Sequence, residues 1–174
     1  MTELSIDQPE FKSWPKIPRY KNERIIITEK IDGSNGAVIV TESGEVYAQS
    51  RNRIIRPDSS DDNFGFGTWV DQNKSDLYHL GRGHHFGEWW GSGIQRKYGM
   101  PNKVFSLFNT FRPVESLPPC VRNVPVLGED IEEALELLKT KGSQAAPGFM
   151  KPEGIVIFST LHKTRYKIII EEDL

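Results

Sequence analysis

Thr28-Glu29-Lys30-Ile31-Asp32-Gly33-Ser34-Asn35 interrupts two apolar runs, Ile25-Ile26-Ile27 before it and Ala37-Val38-Ile39-Val40 after it. Both runs are rich in β-branched residues and read as buried strands. Between them, Asp-Gly-Ser-Asn marks a tight turn where the backbone approaches a ligand closely. A lysine at the head of such a turn can be an amine nucleophile, and the ordinary reading beside it is a strand-end lysine pointing into water.

Working outward, strands are expected over 25–29, 36–41 and 45–50, the last two joined by Glu42-Ser43-Gly44 as a hairpin turn. Residues 63–80 read as one helical stretch with Trp69, Val70, Leu77 and Leu80 on its apolar side. Further strands are expected over 84–90 and 103–108. Residues 130–141 are the clearest helix: Asp130 caps it, Glu133 stands where a reciprocal cap requires, and Gly142 ends it. Two strands close the chain, 154–159 and 164–171. Upstream of the lysine, Phe11 to Tyr20 is rich in proline, aromatic and basic residues and reads as irregular. Many strands with short connections and a few helices make an α+β fold with largely antiparallel sheets.

With 174 residues, 37% of them apolar and 26% charged, the chain has the composition of one ordinary globular domain. No apolar run approaches the ~20 residues of a membrane span, and the opening residues lack the pattern of a signal peptide. Cys120 has no second cysteine to pair with, which fits a reducing, cytoplasmic setting. A net charge of −2 argues against indiscriminate nucleic-acid binding by the whole surface. A local basic track remains: Lys12, Lys16, Arg19, Lys21 and Arg24 precede the lysine turn, and Arg51, Arg53 and Arg56 follow it. A solvated charged face is the ordinary reading of any one such cluster.

At Lys30-Ile31-Asp32-Gly33 the chain resembles the covalent nucleotidyltransferases, the ATP-dependent polynucleotide ligases and capping guanylyltransferases. Four residues recur by chance. Four further elements follow in the family's order: Ser50-Arg51-Asn52, Phe86-Gly87-Glu88-Trp89-Trp90-Gly91, Pro152-Glu153-Gly154-Ile155-Val156-Ile157, and Arg165-Tyr166-Lys167. Within that superfamily the chain resembles the RNA ligases of the phage double-strand-repair type. Trp14-Pro15-Lys16-Ile17-Pro18-Arg19, Thr28-Glu29-Lys30 with Asn35, and His85 to Gln95 carry that resemblance.

The resemblance implies an ATP-grasp-like ligase adenylylation domain, with two largely antiparallel sheets around a nucleotide cleft and flanking helices. It implies an ATP-dependent RNA ligase that seals 5′-phosphate and 3′-hydroxyl ends through lysyl-AMP and adenylylated RNA, with Mg2+ or Mn2+. Lys30 would be the nucleophile. An ordinary lysine amine is neutral in only ~1 part in 10³ near pH 7, a penalty of ~4 kcal/mol, so cations must assist it. Arg165 and Lys167 would supply such charge, and Glu153 would hold the metal, since hard cations prefer carboxylate oxygen. By the same resemblance Glu88 would accept a hydrogen bond from the ribose and Arg51 would hold the ribose or phosphates. Phe108 would stack on adenine, Glu29 would read its amino group, and Asn35 would contact phosphate. Asp32 would organise the turn.

Two departures stand out. Arg165 occupies a position where these ligases usually carry lysine, with Lys163 as second choice, and arginine keeps the charge but alters the geometry. The chain also reaches Leu174 directly after that element, so a single domain over 1–174 with no appended C-terminal domain is expected. His84 and His85 lack metal-ligand spacing to other His or Cys. Arg96 and Lys97 read equally as phosphate contacts or as solvated groups. DNA or nicked duplex remains open as a substrate beside RNA, a non-catalytic end-binder is the rival of another class, and a monomeric, cytoplasmic or virus-encoded enzyme is expected.

Overall fold

A computed structural model describes residues 9–56 and 58–173. Ten strands lie in two sheets. The first sheet has the order β10-β9-β1-β8, built from β1 (Ile25–Lys30), β8 (Val126–Gly128), β9 (Gly154–Ser159) and β10 (Arg165–Ile169). The second has the order β4-β3-β2-β5-β6-β7: β2 (Ser34–Val40), β3 (Val46–Ser50), β4 (Ile54–Ile55), β5 (Gly83–Gly91), β6 (Lys103–Leu107) and β7 (Val121–Asn123). Every strand pair is antiparallel except β6 with β7. The largely antiparallel α+β reading therefore describes both sheets. The lysine turn, residues 31–33, is the crossing from the first sheet to the second.

Each sheet has a covered outer face. Ile27, Ile155 and Ile157 pack with Ala134, Leu135 and Leu138 of α3 (Ile131–Lys141). In the second sheet Val38, Val40, Trp89 and Phe105 pack against Phe66 and Val70 of α1 (Phe66–Gln72) and Leu77 of α2 (Lys74–Leu77). The Phe66 ring lies 5.1 Å from Phe105 and 5.5 Å from Trp89, within the range where aromatic pairs add to area burial. A third cluster, Ile31, Trp90, Tyr98, Val124 and Ala146, sits at the junction of the sheets behind the lysine turn.

The sequence expectation fails at three places. Residues 63–80 do not form one helix: Asn63, Phe64 and Gly65 are left-handed, and α1 and α2 are separate short helices followed by a 3-10 turn, Tyr78–Leu80. The Asn63 side chain is drawn to Ser34 and to the Asn35 carbonyl instead of capping a helix. Asn73 turns its own amide back onto the Trp69 carbonyl at 2.7 Å and ends α1. The last strand stops at Ile169 and becomes α4 (Ile170–Asp173). The short strands β4, β7 and β8 were not expected, because two or three residues carry too little periodicity to read. Asp130 caps α3 by accepting from the Glu133 N–H at 2.9 Å. Among the described residues no helix is long and apolar enough to cross a membrane.

Candidate active site

The register of the first sheet decides what faces the cleft. Ile27 and Glu29 of β1 point toward α3 and the loop behind it, so Ile26, Thr28 and Lys30 point the other way. Ile26 stands opposite Phe158, Thr28 opposite Val156 and Lys30 opposite Gly154. Arg165 and Lys167 of β10 stand opposite Phe158 and Val156. In the second sheet Asn35 pairs with Glu88 across β2 and β5, and Arg51 follows β3 where Ser50 pairs with Gly36. These two faces enclose a cavity of about 340 Å³ lined by Lys30, Asn35, Arg51, Glu88, Phe108 and Arg165, among others. That volume is at the small end of the ~300–1,000 Å³ usual for small-molecule sites.

Lys30 Nζ donates to Glu153 at 2.7 Å, and both side chains are largely buried. Glu88 accepts from the Gly33 N–H at 3.0 Å and from Asn35 Nδ2 at 3.1 Å. Burial pushes the Glu88 carboxyl up to about 7; nearby Lys30 and the two hydrogen bonds oppose that rise, while Glu153 adds to it. Two acids from opposite sheets thus converge on the turn that carries the amine.

Gly33 is required here by close approach. A Cβ on it would meet the Trp89 carbonyl oxygen at 2.5 Å and the Trp90 Cβ at 2.7 Å. The turn is clasped from behind as well. Tyr98 Oη accepts from the Asp32 N–H at 2.8 Å, and Arg96 Nε pairs with the Asp32 carboxylate at 3.0 Å. Arg96 also reaches the Lys151 carbonyl at 3.2 Å and Glu171 at 3.4 Å. Asp32 therefore organises the turn, and Arg96 is engaged within the fold.

Glu29 lines the same cavity but is held from behind. Its carboxylate is buried and accepts from Ser143 Oγ at 2.6 Å, Gln144 N–H at 2.8 Å and Ala145 N–H at 2.9 Å. Burial raises its pKa, and those three bonds oppose the rise. An adenine amino group reaching Glu29 from the cavity would share the carboxylate with these three donors. Arg165 stacks over Phe158 at 4.8 Å and walls the cavity. Lys167 shares its face by register but stands outside the wall, exposed. Arg51 makes no ion pair or hydrogen bond among the described residues and is open to a ligand.

Several wall residues were not singled out from the sequence: Ile26, Thr28, Val156, Phe158, Thr110 and Phe111. The first two were accessible by stepping back in twos from Lys30. The pairing of β1 with β9 then supplies Val156 and Phe158, which requires a register that sequence does not show.

The RNA ligase family profile matches residues 23–169. The chain belongs to the RNA ligase family. The matched span reaches from the entry to β1 to the end of β10 and includes every cavity residue named above. Solved structures of one protein, Naegleria gruberi RNA ligase, share the fold. A mutant without ligand aligns at 22% identity and a TM-score of 0.62, covering 86% of this chain and 50% of that one. A mutant described with ATP and Mn aligns at 22% and 0.63, covering 86% and 49%. A third, described with AMP and Mn, aligns at 22% and 0.62, covering 84% and 49%. The chain spans about half the length of these ligase chains. No match is found among the curated proteins.

Proposed function

We propose that this chain is an ATP-dependent RNA ligase of the phage double-strand-repair type, and that the described residues form its nucleotidyltransferase-type adenylylation domain. The observation that carries the reading is Lys30. It is a buried-edge amine at the mouth of a nucleotide-sized cavity, with carboxylates from both sheets and cations at the far wall.

In the first step the neutral Lys30 amine attacks the α-phosphorus of ATP. A nitrogen–phosphorus bond forms as the bond to the bridging oxygen breaks, pyrophosphate leaves, and the amine loses its proton. An oxygen of a 5′-phosphate end then attacks the same phosphorus and frees the lysine, giving adenylylated RNA. A 3′-hydroxyl finally attacks the 5′-phosphate and AMP leaves. Arg165 and Arg51 offset charge developing on the phosphates. Phe108 and Val156 supply apolar walls for a base, and ionised Glu88 accepts from a sugar hydroxyl.

The donor set fits a hard divalent cation. Glu153 and Glu88 offer carboxylate oxygen, and no cluster of three or more His, Cys, Asp or Glu side chains occurs among the described residues. Mg2+ and Mn2+ sites of this kind keep waters and take the rest of their ligands from substrate phosphates. Such an ion, when bound, neutralises phosphate charge. Glu153 is the residue that would hold it, in exchange for its pairing with Lys30.

Intact mass after incubation with ATP and Mg2+ tests the reading. A gain of one AMP, absent with GTP and absent in Lys30→Ala, is expected. Gel assays on a nicked RNA duplex, single-stranded RNA ends and a DNA nick then decide the substrate. No adduct on a folded, initially unadenylylated sample would refute the proposal.

A further inference from the structure

The segment 9–24 precedes β1, and all of its residues are exposed. Phe11, Trp14, Ile17 and Tyr20 are 89%, 91%, 95% and 89% exposed. One exposed apolar residue is ordinary, but four large ones in ten residues at a constant spacing of three need a reason. Pro15 and Pro18 fix their own backbone and push Trp14 and Ile17 into extended conformation. An extended ribbon of the polyproline type turns once in about three residues, a period that the spacing of Phe11, Trp14, Ile17 and Tyr20 matches, so that side chains at this interval fall along one edge.

The rest of the ribbon is cationic. Lys12, Lys16, Arg19 and Lys21 alternate with that edge, and no acidic residue lies between Glu10 and Glu23. None of the four cations makes an ion pair among the described residues. Five basic against two acidic residues over 10–24 give +3, in a chain whose net charge is −2. The base of the ribbon is fixed. Ser159 Oγ donates to Glu23, the Thr160 N–H donates to the Arg24 carbonyl at 2.9 Å, and Arg24 pairs with Glu129 at 2.5 Å. The ribbon leads straight into β1 one residue before Ile26, which walls the outer end of the cavity with Phe158 and Arg165.

We propose that residues 11–21 are a binding arm for the single-stranded part of the polynucleotide substrate. Bases stack on Phe11, Trp14 and Tyr20, and the phosphates pair with Lys12, Lys16, Arg19 and Lys21. Aromatic faces interleaved with cations suit single strands without regard to sequence, since every base has a face to stack. Protein readers of proline-rich ligands grip the prolines themselves, whereas here the edge is made by large non-proline side chains set among cations. Ten residues at ~3.1 Å each span ~30 Å, enough for several nucleotides. The inference rests on the ligase reading for its substrate and assigns a surface outside the nucleotide cavity.

The test uses the full chain and a 20-nucleotide oligo(U) with a 5′-phosphate and a 3′-fluorescein, read by anisotropy over a salt series. Trp14→Ala with Tyr20→Ala is expected to weaken binding at least tenfold. Lys16→Ala, Arg19→Ala and Lys21→Ala together are expected to weaken it and to shallow the log–log salt slope by roughly 2, at ~0.7 for each phosphate left without its cation. Both variants are expected to gain one AMP from ATP at the wild-type rate, because the arm lies outside the cavity. Affinity within twofold of wild type in both variants would overturn the proposal and leave the edge to a protein partner. Wild-type protein that gains AMP but does not bind the oligonucleotide would overturn it equally. If folded wild type gains no AMP, the ligase reading fails, and the oligo(U) affinities still decide the arm.

Discussion

Glu88 gives the site a pH signature that stability measurements can isolate. Its carboxyl titrates at about 7 in the folded protein against 4.5 ordinarily, chiefly because it is buried. Between those pH values the folded state keeps a proton that the unfolded chain has released. Stability therefore falls as pH rises through this window: the contribution is complete below ~4.5 and lost above ~7. A separation of this size corresponds to ~3 kcal/mol. Glu88→Gln removes the titration while keeping side-chain volume and an oxygen for the Gly33 N–H, and the Asn35 amide rotates to present its oxygen to the new amide.

Urea denaturation of both proteins from pH 4.5 to 8.5 measures the effect. All other titrating groups are common to both proteins and cancel in the difference. From pH 5 to pH 8 wild type should lose ~2.5 kcal/mol relative to Glu88→Gln, while the variant has no ionised acceptor at this position for a ligand. Parallel stability curves would refute the reasoning, because they would mean that Glu88 ionises normally and is not buried against Lys30 and Glu153 as described.

Other substitutions probe the supports of the turn. Glu29→Ala leaves the Ser143 hydroxyl and the Gln144 and Ala145 N–H groups without their acceptor and should cost about 3 kcal/mol, read as a lower denaturation midpoint with faster amide exchange at 143–146. Gly33→Ala forces a Cβ to within 2.5 Å of the Trp89 carbonyl oxygen; a loss of about 2 kcal/mol is expected, with AMP-adduct formation at least tenfold slower by timed intact mass. Arg96→Ala cuts the link from Asp32 to Glu171 and should cost about 1 kcal/mol at low salt, a gap that narrows in 1 M NaCl.

Much of this was legible in the sequence because the decisive elements are local. β1, β2, β5 and β9 each carry a strand pattern with a motif residue within it or beside it, so Lys30, Glu88 and Glu153 could be named from the motifs and their order. The capped helix α3 was readable because its cap, apolar face and terminating glycine are all near neighbours in the chain. The failures arise where tertiary partners overrule local preference. Asn63 opens the stretch expected to be helical, but Ser34 and the Asn35 carbonyl claim its side chain. Arg96 read equally as solvated until Asp32 came within 3.0 Å. Glu29 shows the limit most clearly. Its place beside the lysine invited a ligand role, and it does line the cavity; what the sequence could not show is that a loop more than a hundred residues away holds its carboxylate.

The geometry of Lys30 is thus a property of how the two sheets pack on each other. Glu153 belongs to the first sheet: Gly154 beside it lies so close to the Ile168 carbonyl that a Cβ would sit 1.9 Å from it, and the Ile170 N–H donates to the Glu153 carbonyl at 2.9 Å. Glu88 belongs to the second sheet and holds Gly33. Only three residues, 31–33, join the strand that carries the amine to the strand that carries Asn35, so sliding one sheet past the other must move Lys30 relative to one acid or the other. The buried cluster of Ile31, Trp90, Tyr98, Val124 and Ala146 fixes that relation. A misplacement of ~1 Å at a reacting atom is sufficient to slow chemistry by ~10²-fold. Repacking this cluster should therefore impair the proposed nucleotidyl transfer although none of its residues except Ile31 lines the cavity.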